Sequence, residues 1–290
     1  MIDADTRAAV LLGYPVRHSF SPAMYNAAFQ ARRLNCVYLA VSVPPARLAA
    51  ALEALPALDL LGANVTVPYK ERVVSFLDET TPDSRLIGAV NTIVHRDGRL
   101  VGHNTDGSGF LRAVREAGRD PRGEAAVILG AGGAARAVAV TLALHGVKEL
   151  VIFNRTVERG AGLAALIRKQ GVAAAAYGWD ELAAAGARAR SAFARACLIV
   201  QTTSLGMHPR TAEAPPVPPE WISANHLVYD LVYNPAETAF LQAARLAGAR
   251  TANGLGMLLY QGVVAFELWT GQEAPVETMR AALRACLEDN

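Results

Sequence analysis

Residues 126–156 read AVILGAGGAARAVAVTLALHGVKELVIFNRT. The apolar run 126–129 has the length and character of a buried parallel strand. Gly130, Gly132 and Gly133 follow at once. Residues 134–145 are rich in Ala, Val and Leu and free of Pro, which predicts a helix stopped by Gly146. A second apolar run, 150–153, closes a βαβ unit of about thirty residues, the size of a dinucleotide-binding half. Gly130 permits the tight strand-to-helix bend, and Gly132 leaves room for backbone to approach a pyrophosphate. Ala135 stands at the third small position, where helix and strand pack closely. The helix N-terminus then presents free N–H groups and a positive dipole end to an anion.

The end of the second strand points to a particular dinucleotide. An NAD site usually carries an acid there for the ribose hydroxyls. This chain has Asn154, Arg155 and Thr156 instead, with Arg159 four residues after Arg155. Residues four apart share a helix face, and two guanidinium groups with a Thr hydroxyl suit a 2′-phosphate. The expectation is NADP(H).

Composition bounds the rest. A chain of 290 residues, 52% hydrophobic, can build one or two well-filled domains. A formal charge of +2 implies no nucleic-acid or membrane partner. The opening MIDADTRAAVLLG lacks the basic and apolar regions of a signal peptide, and no apolar run reaches the length of a membrane span. Cys36, Cys197 and Cys286 are odd in number and far apart, which suits neither a disulfide framework nor a zinc site. A cytoplasmic setting is expected. The six histidines show no metal-binding spacing, and no G-x-S-x-G elbow occurs.

Outward from the βαβ unit, strand and helix signals alternate. Strands are expected at 8–12, 37–43 and 62–67, with helices from Ser21 to about residue 34, from Pro44-Pro45, and over 68–77. Ser21 and Pro22 read as an N-cap and first helical position. Runs 89–95 and 100–103 pair across Asp97-Gly98, a hairpin signal, and a helix over 106–117 leads into the dinucleotide unit. Beyond it come a helix at 157–169, strands at 172–176, 198–202, 227–233 and 250–252, a Pro-rich loop at 209–219, and helices at 237–247, 254–268 and 275–287. This is a two-domain α/β pattern. A substrate domain takes residues 1–106, with the last helices, about 255–290, returning to it. A Rossmann-type, doubly wound dinucleotide domain takes 107–254.

Polar clusters sit where strands end, which is where open α/β sheets bind ligands. Ser19 and Ser21 can both donate to a carboxylate, or Ser21 can cap its helix. Asn64 and Thr66 share one strand parity, and Lys70 lies just beyond. A Lys at a helix N-terminus would face the positive dipole end, which favours its neutral form and suits proton transfer. Asn91-Thr92 and the run Asn104-Thr105-Asp106 follow. Asp106 can cap the next helix or pair with Lys70 as a minimal proton-handling couple.

With these motifs assembled, the chain resembles the shikimate dehydrogenase family over nearly its whole length. The resemblance rests on HSFSP (18–22), NVTVPYK (64–70), GAVNT (88–92), NTDG (104–107), GAGGAARA (130–137), NRT (154–156), DLVYNPAETAFL (230–241) and NGLGMLLYQ (253–261). It implies NADPH-dependent reduction of 3-dehydroshikimate to shikimate, with Lys70 as acid/base and Asp106 on the substrate hydroxyl. It further implies that Ser19 and Ser21 hold the carboxylate and that Thr66, Asn91, Tyr233 and Gln261 complete the substrate shell. Gly130, Ala131, Gly132, Gly133 and Ala134, with Asn154, Arg155, Thr156 and Arg159, would bind NADP(H). Leu231 and Gly254 would line the nicotinamide end. Small molecules are the expected partners, and a homodimer stays open. A quinate/shikimate dehydrogenase would share most motifs but would more often carry an acid after the second strand. A methyltransferase would need such an acid too, and a non-catalytic NADP(H) sensor would not need Lys70 or Asp106.

Overall fold

The structure is a computed structural model and describes residues 2–288. It holds two six-stranded sheets, so the two-domain α/β expectation is met. The chain divides into two compact units, Met1–Gly109 with Leu258–Asn290, and Phe110–Met257.

The first unit is built on β1 (Arg7–Gly13), β2 (Cys36–Ser42), β3 (Gly62–Val65), β4 (Glu79–Thr80), β5 (Thr92–Arg96) and β6 (Arg99–His103), in the order β2-β1-β3-β5-β6-β4. The pairs β1–β2, β1–β3 and β4–β6 are parallel, and β3–β5 and β5–β6 are antiparallel. The β5–β6 hairpin turns on Asp97 and Gly98, both at positive φ (52° and 75°). That is the turn whose twist matches the flanking strands. Alternation sends Val10, Leu12, Ala63 and Val65 into one core with Leu48, Leu52 and Leu55 of the helix Leu48–Ala57. The opposite parity places Tyr38 against Tyr25 of the helix Ser21–Ala31, with ring centroids 4.4 Å apart, and Trp269 of the helix Leu255–Thr270 tilts against Tyr25 at 5.2 Å.

The second unit is an all-parallel sheet of β7 (Ala125–Leu129), β8 (Glu149–Asn154), β9 (Ala173–Gly178), β10 (Ala196–Gln201), β11 (Leu227–Asp230) and β12 (Arg250–Ala252). Its order, β12-β11-β10-β7-β8-β9, is that of a dinucleotide-binding sheet, and the strand order reverses between β7 and β10. Residues of β7, β8 and β10 are almost wholly buried, as a sheet covered on both faces requires. The stretch 181–196, rich in Ala and Arg, forms the short helices Asp180–Ala183 and Ala187–Arg195.

Three local expectations need correction. The helix expected over 68–77 is a turn followed by a 3-10 helix, Arg72–Phe76, of which Val73 alone is buried. Over 68–77 only Tyr69 and Val73 are buried, a single pair four residues apart rather than the continuous apolar stripe of a longer helix. The first helix begins with Ser21 inside it and Phe20 at the cap position, and it ends at Ala31. The backbone N–H of Ser21 is taken up by Ser19 Oγ at 3.2 Å. A further helix, Pro82–Ile87, lies where none is expected, although its signals are present: Thr81 Oγ1 accepts from the Ser84 N–H and Gly88 closes it at φ 72°.

Candidate functional site

In the first unit a buried polar network ends in a charged pair. Lys70 sits in the turn between β3 and the 3-10 helix, and its backbone carbonyl accepts from the Val90 N–H at 2.8 Å. The dipole argument for Lys70 therefore falls, since no α-helix starts there. Its ammonium instead faces Asp106, with Nζ donating to Oδ2 at 2.5 Å. Asp106 opens the helix Asp106–Glu116, where a carboxylate is favoured by the helix dipole. The side chains are 30% and 10% exposed, so the ammonium keeps a face open while the carboxylate is nearly enclosed.

Asn91 holds the other carboxylate oxygen, donating from Nδ2 to Asp106 Oδ1 at 2.8 Å. The same amide lies 3.0 Å from Thr105 Oγ1 and 3.4 Å from Gln261 Oε1, and its oxygen accepts from the Thr105 N–H at 2.7 Å. The network runs inward from there. Thr105 and Thr92 hydroxyls stand 3.1 Å apart, Asn64 Nδ2 donates to Thr92 Oγ1 at 3.0 Å, and the Tyr38 hydroxyl donates to Asn64 Oδ1 at 2.8 Å. Asn64, Asn91, Thr92 and Thr105 are all buried. Satisfied buried networks of this kind fix geometry.

Of the residues that the sequence marks, Lys70, Asp106, Asn91 and Gln261 thus stand together in one hydrogen-bonded group. Ser21 is buried at the start of its helix and Ser19 lies beside it. Thr66 is packed by its methyl so closely against Gly13 that a Cβ at Gly13 would collide with Thr66 Cγ2. Tyr233 belongs to the other unit. Of the network's members Tyr38 escapes sequence reasoning, while Thr92 and Thr105 are marked there within polar clusters without a role of their own. Thr92 and Thr105 fall within the quoted motifs, whereas nothing near Tyr38 in sequence marks it. Half-burial pushes the His103 imidazole below its usual pKa.

The second unit carries the glycine turn, and its glycines have different reasons to be glycine. Gly130 has φ 119°, and a Cβ there would collide with Thr202 Oγ1, so the fold itself demands it. Gly132 caps the helix Gly133–His145 at an ordinary φ of −84°, and a Cβ there would meet no atom within 4 Å. The fold does not require that glycine, a position that leaves room for backbone to approach a pyrophosphate, and Ala131, Gly133 and Ala134 flank it. Ala135 is fully buried, as close helix–strand packing requires. Among the described residues neither Arg155 nor Arg159 is engaged in an ion pair, and both are exposed. The two do not share one helix face, as their spacing alone suggests, because Arg155 precedes Thr156, the cap of the helix Val157–Arg168. Thr156 makes no side-chain cap bond, and Asn154 Nδ2 donates to the Thr156 carbonyl at 2.7 Å, which shapes the turn. Leu231 and Gly254 touch backbone to backbone: a Cβ on Gly254 would collide with the Leu231 carbonyl oxygen. These residues fit a 2′-phosphorylated dinucleotide.

Among the described residues no group of His, Cys, Asp or Glu could hold a metal ion, and no helix is long and apolar enough to cross a membrane.

Comparison with known proteins places this arrangement. Family models match residues 11–93 (shikimate dehydrogenase substrate binding domain), 113–189 (shikimate / quinate 5-dehydrogenase) and 254–284 (shikimate 5′-dehydrogenase C-terminal domain). The shikimate dehydrogenase (NADP(+)) of Moorella thermoacetica is 54% identical over 286 residues, which cover 99% of this chain and 95% of that one. A crystal structure of a shikimate dehydrogenase in complex with NADP+ superposes with a TM-score of 0.90 at 42% identity, covering 98% and 97% of the two chains. Shikimate 5-dehydrogenase from Listeria monocytogenes, in complex with shikimate and NAD, gives 0.92 at 37% identity, with 97% of each chain covered. Identity of this degree, sustained from one end to the other, means that the chain belongs to the shikimate dehydrogenase family.

Proposed function

We propose that this chain catalyses the reversible NADPH-dependent reduction of 3-dehydroshikimate to shikimate, in the shikimate pathway of aromatic amino-acid biosynthesis. The observation that carries the chemistry is the Lys70–Asp106 pair, 2.5 Å apart, with Asn91 on the far carboxylate oxygen. Bound NADPH supplies the hydride to the carbonyl carbon. The developing alkoxide needs a proton and a positive neighbour, and the Lys70 ammonium offers both. In the oxidative direction Lys70 takes the hydroxyl proton instead. Asp106 orients the ammonium and accepts from the same substrate hydroxyl, and Asn91 keeps the carboxylate from turning away. Gln261, Thr66 and Tyr233 complete the substrate shell. Ser19 and Ser21 hold the substrate carboxylate, remote from the reacting carbon.

The second unit holds NADP(H). Residues 130–134 and the helix N-terminus cradle the pyrophosphate, and Asn154, Arg155, Thr156 and Arg159 bind the 2′-phosphate end. Leu231 and Gly254 flank the nicotinamide. The absence of an acid after β8 favours NADPH over NADH and favours shikimate dehydrogenase over a quinate/shikimate dehydrogenase of broader cofactor use. The odd count and wide spacing of Cys36, Cys197 and Cys286 support a cytoplasmic enzyme. Light scattering distinguishes a monomer from a homodimer. The deciding assay is steady-state oxidation of shikimate and quinate with NADP+ and with NAD+. Turnover concentrated in the shikimate–NADP+ pair is expected, and preference for quinate or NAD+ would refute the reading.

A further inference from the structure

Tyr25 lies one helical turn beyond Ser21, on the same face of the helix Ser21–Ala31. It is fully buried, stacked on Tyr38 and tilted against Trp269. The polar groups around it are spent on one another: Tyr38 on Asn64, Asn64 on Thr92, Asn91 on Asp106. Among the described residues the Tyr25 hydroxyl has no hydrogen-bond partner. Burial holds it protonated far above the ordinary phenol range; the Asp106 carboxylate pushes the same way, and the Asn64 amide partly opposes both. It is therefore a donor at any working pH, close enough to the charged pair to feel it. It also reaches the helix Leu255–Thr270, because a Cβ at Gly262, next to Gln261, would stand 3.4 Å from its oxygen.

A buried O–H with no acceptor is unfavourable, and Phe would fill the same ring position without that cost. The hydroxyl makes physical sense if its acceptor arrives with the ligand. We propose that Tyr25 is a further substrate-binding residue, its hydroxyl donating to an acceptor oxygen of the bound hydroxylated ring acid on the side of Ser21 and Asn64. The inference rests on the reading of this unit as the one that binds shikimate.

The test is Tyr25→Phe in the full chain, with shikimate binding followed by calorimetry and by the rise in Tm that shikimate produces. Loss of one neutral hydrogen bond should raise the shikimate Kd about three- to tenfold and shrink the shikimate-induced Tm rise. The KM for NADP+ should not move. The ligand-free Tm should stay or increase, since an unsatisfied buried donor has been removed; a packing role would lower it. A wild-type chain that binds shikimate alongside a Phe variant with the same Kd would overturn this inference alone. A wild-type chain that does not bind shikimate would overturn the functional reading and this inference with it.

Discussion

Lys70→Met keeps the length of the side chain and deletes its charge. The substitution removes a charge-assisted hydrogen bond of 2.5 Å to a carboxylate that is 10% exposed. Removing one partner of a fully buried pair costs about 3–5 kcal/mol. Lys70 is 30% exposed and Asn91 still serves the other carboxylate oxygen, so about 1.5–3 kcal/mol is the reasoned loss. For a chain of this size that lowers the Tm by roughly 3–10 °C. The catalytic loss is separate and larger: without a proton donor at the alkoxide, kcat should fall about 10²–10⁴-fold. Shikimate binding, measured by calorimetry, should weaken far less if Ser19 and Ser21 hold the carboxylate end as proposed. The double variant Lys70→Met with Asp106→Asn removes the stranded charge, so it should recover much of the Tm and none of the kcat. Near-normal kcat with a raised KM would make Lys70 a binding residue and refute the proton route. A Tm loss not recovered in the double variant would refute the stability reasoning.

Further outcomes can be checked independently. Arg155→Ala should raise the KM for NADP+ by one to two orders of magnitude and leave NAD+ kinetics nearly unchanged, since each guanidinium–phosphate bond is worth roughly 1.5–3 kcal/mol; equal loss with both cofactors would exclude a 2′-phosphate contact. Gly132→Ala should weaken NADP+ binding with little change in Tm, whereas Gly130→Ala should lower the Tm outright, because φ 119° and the Thr202 side chain are incompatible with a Cβ. Asp230 is buried, accepting from the Val232 N–H and the Thr238 hydroxyl, and burial pushes its pKa up to about 6. Between about pH 4 and pH 6 the folded chain keeps a proton that the unfolded chain has lost, so this group makes stability fall as pH rises through that window, by up to about 3 kcal/mol. Urea unfolding of Asp230→Asn should lack that component of the pH slope; an unaltered slope would locate the titration elsewhere.

The second unit was readable because its signals are local. An apolar run, a glycine turn, a Pro-free helix and a Gly stop all fall within residues 126–156, and the strands and helix land within a residue or two of their expected bounds. The hairpin at Asp97-Gly98 was readable for the same reason. What failed depended on packing. Residues 68–77 look helical in isolation, but with only Tyr69 and Val73 buried they form a turn and a short 3-10 run, Arg72–Phe76. In the site, Lys70, Asp106, Asn91 and Gln261 could be named from their motifs. The linkage of Asn64 to Tyr38 and Thr92 could not, since those partners are 26 and 28 residues away.

The ladder from Tyr38 through Asn64, Thr92 and Thr105 to Asn91 has a consequence for recombination between relatives. Each rung hydrogen-bonds the next, Tyr38 donating to Asn64 and Asn64 to Thr92, and the rungs come from β2, β3, β5 and the residues that flank β5 and β6. A chimera joined between residues 38 and 105 takes the two partners of every rung contact that spans the junction from different parents. Where the parents differ at one rung, that junction strands a buried amide or hydroxyl even if both parental segments are individually sound. Crossovers before residue 38 or after residue 106 leave the ladder whole, so shuffled libraries should be enriched for survivors that carry this interval as one heritable block.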